Sequence, residues 1–97
     1  MTPPVYDTVI RNGVLGDSLG HAEGDIAIVN GRIAATGLNL PEGNAEIDAR
    51  GRIVLPGGVD THCHIEQMSG AGVMNADTFE TATRSALHGG TTTTVSF

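Results

Sequence analysis

The chain has 97 residues, a formal net charge of -6, 14 glycines, and one tyrosine and two phenylalanines as its only aromatic residues. So short a chain makes one domain at most, with a modest core. Its acidic balance argues against nucleic acid or an anionic membrane as partner, and no apolar run nears the roughly 18 residues that span a bilayer.

The opening, MTPPVYDTVIRNG, has no basic n-region and no apolar h-region, so no signal peptide is expected. The single cysteine, Cys63, excludes an internal disulfide framework and fits a reducing, cytoplasmic compartment. VYDTVIRNG reads as a strand ending at Asn12-Gly13. In GDIAIVNGRIAATG, two β-rich runs flank Asn30-Gly31, which tolerates positive φ at both positions and predicts a two-residue type I′ hairpin. LNLPEGN reads as a loop, and AEIDARGRIVLPGG as two short strands around Ala49-Arg50-Gly51, closed by Pro56-Gly57-Gly58. Small β elements at this spacing point to part of a sandwich or small barrel.

The second half changes character. GVDTH reads as a short strand, and IEQMSGAGVMNA as a loop of about a dozen residues, long enough to suspect a function. DTFETATRSALHGG predicts a helix capped by Asp77, with Glu80 completing a capping box. Phe79, Ala82, Ala86 and Leu87 share one helical face. TTTTVSF is a β-branched strand, so the order is β-loop-α-β. It runs directly into Phe97. A parallel pair wants cover on both faces, so the sequence looks cut rather than finished.

The chemistry concentrates in GGVDTHCHIEQ. On a strand, residues i and i+2 share a face, so His62 and His64 can share one metal ion. Asp60 falls on the same face, as a partner fixing a histidine tautomer or as the acceptor of a local turn hydrogen bond. On three residues alone, a coincidental histidine pair is the simpler reading. The strand end before it and the long loop and helix after it strengthen the metal reading, since ligands at the C-terminal end of a barrel strand lie at the active-site end. Cys63 reads as a thiol packed beside the helix, His21 as a loop residue and His88 as a cation suited to a helix C-terminus. Glu66 and Gln67 read equally as pocket edge or loop surface. There is no lysine in the chain, hence no phosphate-binding Gly-x-x-x-x-Gly-Lys loop, and there is no Gly-x-Ser-x-Gly elbow.

Together, GDIAIVNGRIAATG, IDARGRIVLPGGVDTHCHIEQ and DTFETATRSALHGGTTTTVSF resemble the N-terminus of the metal-dependent amidohydrolases, and within them the dihydropyrimidinase and hydantoinase group. The resemblance covers about Tyr6 to Phe97. It implies an α/β fold in which a small β-sandwich flanks a (β/α)8 TIM-like barrel. Residues 1–55 would be the N-terminal share of the sandwich, and residues 56–97 the first two strands and first helix of the barrel. It implies that His62 and His64 bind a divalent metal, typically zinc, in a binuclear site. It implies that Ile65, Gln67 and Met68 belong to a substrate loop from Ile65 to Ala76, with Ile65, Met68, Val73 and Met74 as its apolar wall. The implied reaction is hydrolysis of a cyclic amide by a homo-oligomer.

The family also needs a carboxylated lysine, two further histidines and a general-base aspartate, all from later barrel strands. A whole barrel takes roughly 250 residues. No catalytic residue is therefore expected in this segment. The isolated chain is expected to be inactive and to bind metal weakly at best. The alternatives are a non-catalytic relative serving assembly, a piece that folds by association through its open edges, and an allantoinase- or dihydroorotase-type enzyme.

Overall fold

The computed structural model describes residues 5–97, so the start of the stretch read for a leader lies outside the described residues. Contacts divide the chain into two units, Met1–Pro56 and Gly57–Phe97, where length alone set one domain at most. The physical reason is hydrogen bonding: each unit pairs its strands only among themselves, in two separate sheets.

The first unit is one mixed sheet of β1 (Tyr6–Asp17), β2 (Gly20–Val29), β3 (Arg32–Gly37), β4 (Gly43–Asp48) and β5 (Ile53–Val54). The order is β3-β2-β1-β4, with β5 also on β1. β2 runs antiparallel to β1, and β4 and β5 run parallel to it. Asn30 and Gly31 have φ of 51° and 73°, the two positive values a type I′ turn requires, and they join β2 to β3 as the sequence predicts. Among the described residues, the buried apolar ones of this unit are few: Val9, Ile26, Ala27 and Ala49. His21 lies on β2 rather than in a loop.

Asn12-Gly13 does not end β1. Asn12 has φ of 58°, and its positive φ is absorbed as a bulge between Ile10 and Gly13, after which the strand continues to Asp17. The bulge falls where the partner of β1 changes from β4 to β5. There the carbonyls of Arg11 and Asn12 accept the N–H groups of Ala49 and Gly51 at 2.8 and 2.7 Å. The two carbonyls at the bulge thus find partners.

Beside the bulge sits a charged cluster. The Arg11 guanidinium donates to Asp25 Oδ2 at 3.0 Å and grips both Glu46 carboxylate oxygens at 3.0 and 2.9 Å. Asp25 is 6% exposed and also accepts the N–H groups of Asn12 and Leu40. Burial pushes the Asp25 carboxyl up, but the Asn12 N–H, the Arg11 guanidinium and the Leu40 N–H outweigh it and hold the group below its ordinary value. Glu46 is lowered by Arg11 and by the Gly43 N–H, and Asp48 by the Asn12 amide and the Arg50 N–H.

The second unit is β6 (Gly58–Cys63), α1 (Phe79–His88) and β7 (Thr91–Ser96), with β6 and β7 parallel. The helix cap is displaced by one residue from the expected position. Thr78, not Asp77, is the N-cap, and Thr78 and Thr81 exchange side-chain and backbone hydrogen bonds as a capping box. Asp77 instead accepts the Thr81 hydroxyl at 2.9 Å, and Glu80 pairs with Arg84 one turn on at 2.7 Å. A threonine box forms because both hydroxyls reach the orphan N–H groups. Of the predicted helical face, Ala82 and Ala86 are half-buried, while Phe79 and Leu87 are exposed. Gly57 lies so near β7 that a Cβ there would sit 2.0 Å from Thr92 Oγ1.

Two outcomes follow from these contacts. Asp25→Asn should lower the unfolding free energy at neutral pH by about 1.5–3 kcal/mol, the range for a buried hydrogen bond to a charged group. Because the folded value is depressed, the native contribution is complete well above 3.8 and is lost as pH falls from there through the folded value. Urea unfolding from pH 6 down to pH 2 should therefore show a steeper acid loss for the native chain than for the variant. Gly57→Ala should force β6 away from β7 at a cost of roughly 1–3 kcal/mol, as overpacking does. Amide exchange should report this as lost protection in β6 and β7, with the β2–β3 hairpin unchanged.

Candidate metal centre

The histidine pair closes β6 and begins the loop. His62 Nε2 and His64 Nε2 face each other at 3.1 Å, with ring centroids 5.1 Å apart. The Phe97 ring lies against His62 at 4.5 Å between centroids. Both histidines are exposed.

The strand does not alternate strictly here. Asp60 pairs with Thr94 and Cys63 with Ser96, three steps on β6 against two on β7. That irregularity breaks the alternation expected to align Asp60 with His62. Asp60 Oδ1 instead accepts the backbone N–H of His62 at 3.0 Å, the local hydrogen bond that was the second of its two expected roles. The Cys63 thiol donates to the Val95 carbonyl at 3.4 Å and is half-buried. His88 occupies the last turn of α1.

After His64 the chain turns sharply. Glu66 adopts φ of 51°, a left-handed conformation that costs a side-chain-bearing residue about 1–2 kcal/mol. The turn returns Gln67 to the histidine, and Gln67 Oε1 meets His64 Nδ1. A second reversal follows, in which the Ser69 N–H donates to the Val73 carbonyl at 2.8 Å and Met68 bridges Met74. This brings Asn75 back beside the start of the loop. Its Oδ1 accepts the Gln67 N–H at 2.6 Å, its Nδ2 donates to the His64 carbonyl at 2.7 Å, and its own N–H donates to the Gln67 carbonyl at 3.1 Å.

The Gln67 contact bears on the tautomer of His64. With Gln67 Oε1 as the acceptor, the contact favours a proton on His64 Nδ1 and a lone pair on His64 Nε2. The donor set fits a shared cation: four-coordinate zinc with nitrogens at roughly 2.0–2.1 Å holds them about 3.3 Å apart, close to the 3.1 Å observed. Among the described residues, no group of three or more His, Cys, Asp or Glu side chains is placed to hold an ion.

The loop encloses an open hollow of about 500 Å³ lined by His64, Gln67, Met68, Val73, Met74 and Asn75. Ile65 is not on this wall. It is buried and faces a cleft shared with Ala82 and Ala86 of α1, where an aliphatic side chain leaves water. Sequence reasoning missed Asn75 and Phe97. Each reaches the histidines only through chain reversal or strand pairing, and the turn residues from Ser69 to Gly72 were the available signal.

No family model matches the chain. It is 44% identical over 91 residues to a D-hydantoinase of Rhizobium radiobacter, covering 94% of this chain and 20% of the relative. It is 39% identical over 88 residues to an allantoinase of Bacillus licheniformis, covering 91% and 19%. Among solved structures, D-hydantoinase from Bacillus sp. AR9 superposes with a TM-score of 0.88 at 40% identity, covering 94% of this chain and 20% of that one. The chain thus spans about a fifth of the length of the relatives it matches. The likeness to the hydantoinase group carried by its motifs extends over nearly all of its residues.

Proposed function

We propose that the chain is the N-terminal segment of a metal-dependent cyclic amidohydrolase of the dihydropyrimidinase and hydantoinase group. The observation that carries the reading is the facing pair of Nε2 atoms at the C-terminal end of a parallel strand, in a chain 44% identical to a D-hydantoinase. In this reading β6, α1 and β7 open a (β/α)8 barrel, and the mixed sheet of the first unit is its share of a flanking sandwich. The carboxyl end of barrel strands is where such sites lie.

His62 and His64 are the residues that would hold the metal, and an all-imidazole pair suits zinc. Bound there, the metal supplies Lewis-acid polarisation of a ring amide carbonyl and activation of water. The chain's own residues do the rest of what this segment contributes. The Gln67 carboxamide holds His64 in the tautomer that frees Nε2. Met68, Val73 and Met74 give the hollow an apolar wall for a ring substituent, while Gln67 offers a polar edge to the ring. Remaining ligands and the general base come from outside these residues, so the 97-residue chain alone binds metal weakly and turns over no substrate. Dihydropyrimidines and 5-substituted hydantoins are the substrate class, with allantoin the neighbouring choice given the allantoinase relative.

The whole enzyme is read as a cytoplasmic homo-oligomer without nucleic-acid or membrane partners. The net charge of -6 argues against nucleic-acid and anionic-membrane partners, and no helix among the described residues is long and apolar enough to cross a membrane.

The test is the double variant His62→Ala/His64→Ala in the protein as its gene encodes it. Metal content should fall, and hydrolysis of dihydrouracil or hydantoin should drop by about a thousandfold or more, matching the several kcal/mol a metal supplies. Unchanged metal content in the folded variant would sink the assignment.

A further inference from the structure

We infer that Gln67 and Asn75 are positioning residues for His64, a two-amide clasp that sets the imidazole's tautomer and orientation before a metal arrives. The inference rests on the reading of His62 and His64 as metal ligands. It goes beyond that reading by assigning the control of one ligand to the loop that follows it.

Three observations carry it. First, among the described residues the side-chain oxygen placed against His64 Nδ1 is Gln67 Oε1, and that contact favours the lone pair on Nε2. Second, Gln67 is held at both backbone groups: its N–H by Asn75 Oδ1 and its carbonyl by the Asn75 N–H. The same Asn75 amide donates to the His64 carbonyl, so ligand and acceptor are fixed to one side chain. Third, Glu66 between them is held left-handed, a conformation that persists only where its surroundings over-determine it. Without the clasp, His64 Nδ1 and Nε2 would compete for the proton, and half of the donor pair would turn its N–H toward the cation.

The experiment measures zinc affinity by chelator competition in the whole protein, together with the His64 tautomer from nitrogen-15 shifts of histidine-labelled, metal-free protein. Gln67→Leu should weaken zinc about 10–100-fold, the usual effect of losing a ligand's hydrogen-bond partner, and should abolish the single Nδ1–H tautomer. Asn75→Ala should shift both readouts in the same direction. Gln67→Glu keeps an acceptor oxygen and should recover most of the affinity and the tautomer. Unchanged affinity and tautomer in Gln67→Leu overturn the inference. So does an affinity loss with the tautomer intact, or an equal loss in the Leu and Glu variants, since either marks a loop with a merely structural role. Failure of the metal reading itself shows separately, as zinc content that survives removal of both histidines.

Discussion

The parallel ladder between β6 and β7 is the constraint on which the candidate site depends. Parallel strands cannot be joined by a tight turn, so the chain must leave β6, cross over and return. The crossover here is a folded loop followed by α1. The loop therefore starts at the end of β6, where the two histidines stand. The ladder also fixes the far end of β7, which brings Phe97 against His62. Close approach at the start of the pair is possible because Gly57 has no side chain to meet Thr92.

The first unit answers a different problem. Among the described residues its buried apolar set is four small or medium residues, too few to specify strand order by packing alone. Arg11 compensates by joining three pieces of chain: its own strand, Asp25 on β2 and Glu46 on β4, with the Leu40 and Pro41 carbonyls as further acceptors. A guanidinium suits this better than an ammonium, because its planar fork can grip one carboxylate with two donors while serving others. Asp25 in turn is buried with its oxygens satisfied, the condition under which a buried carboxylate is tolerated. Strand order thus rests on directed hydrogen bonds as well as on apolar burial.

What could be read from the sequence was local. Asn30-Gly31 declared its hairpin because both residues tolerate positive φ. The threonine run declared a strand, and the His-x-His spacing declared a shared face. The errors arose where a distant partner decided. Asn12-Gly13 looks like the end of a strand, but the chain around Ala49 and Gly51 supplies hydrogen bonds that turn it into a bulge. Asp77 and Thr78 are both good caps, and the hydroxyl of Thr81 selected the second. For Asp60 the sequence allowed two roles, and beside the irregular step before Cys63 its carboxylate takes the local hydrogen bond. Gln67 was legible as pocket edge or loop surface but not as a partner of His64, because its placement depends on Asn75, eight positions on and brought back by a reversal that no periodicity announces.

The direction of β6 and β7 carries a consequence for how ligands accumulate. In a parallel sheet every strand points its carboxyl end the same way, so the level of the His62–His64 pair is a level that any added parallel strand must also reach. A neighbour laid along the outer edge of either strand delivers its last residues to that same plane without needing a new loop geometry. Topology, rather than any single side chain, thus serves as an addressing system, in which each further strand brings its terminal side chain to a common coordinate.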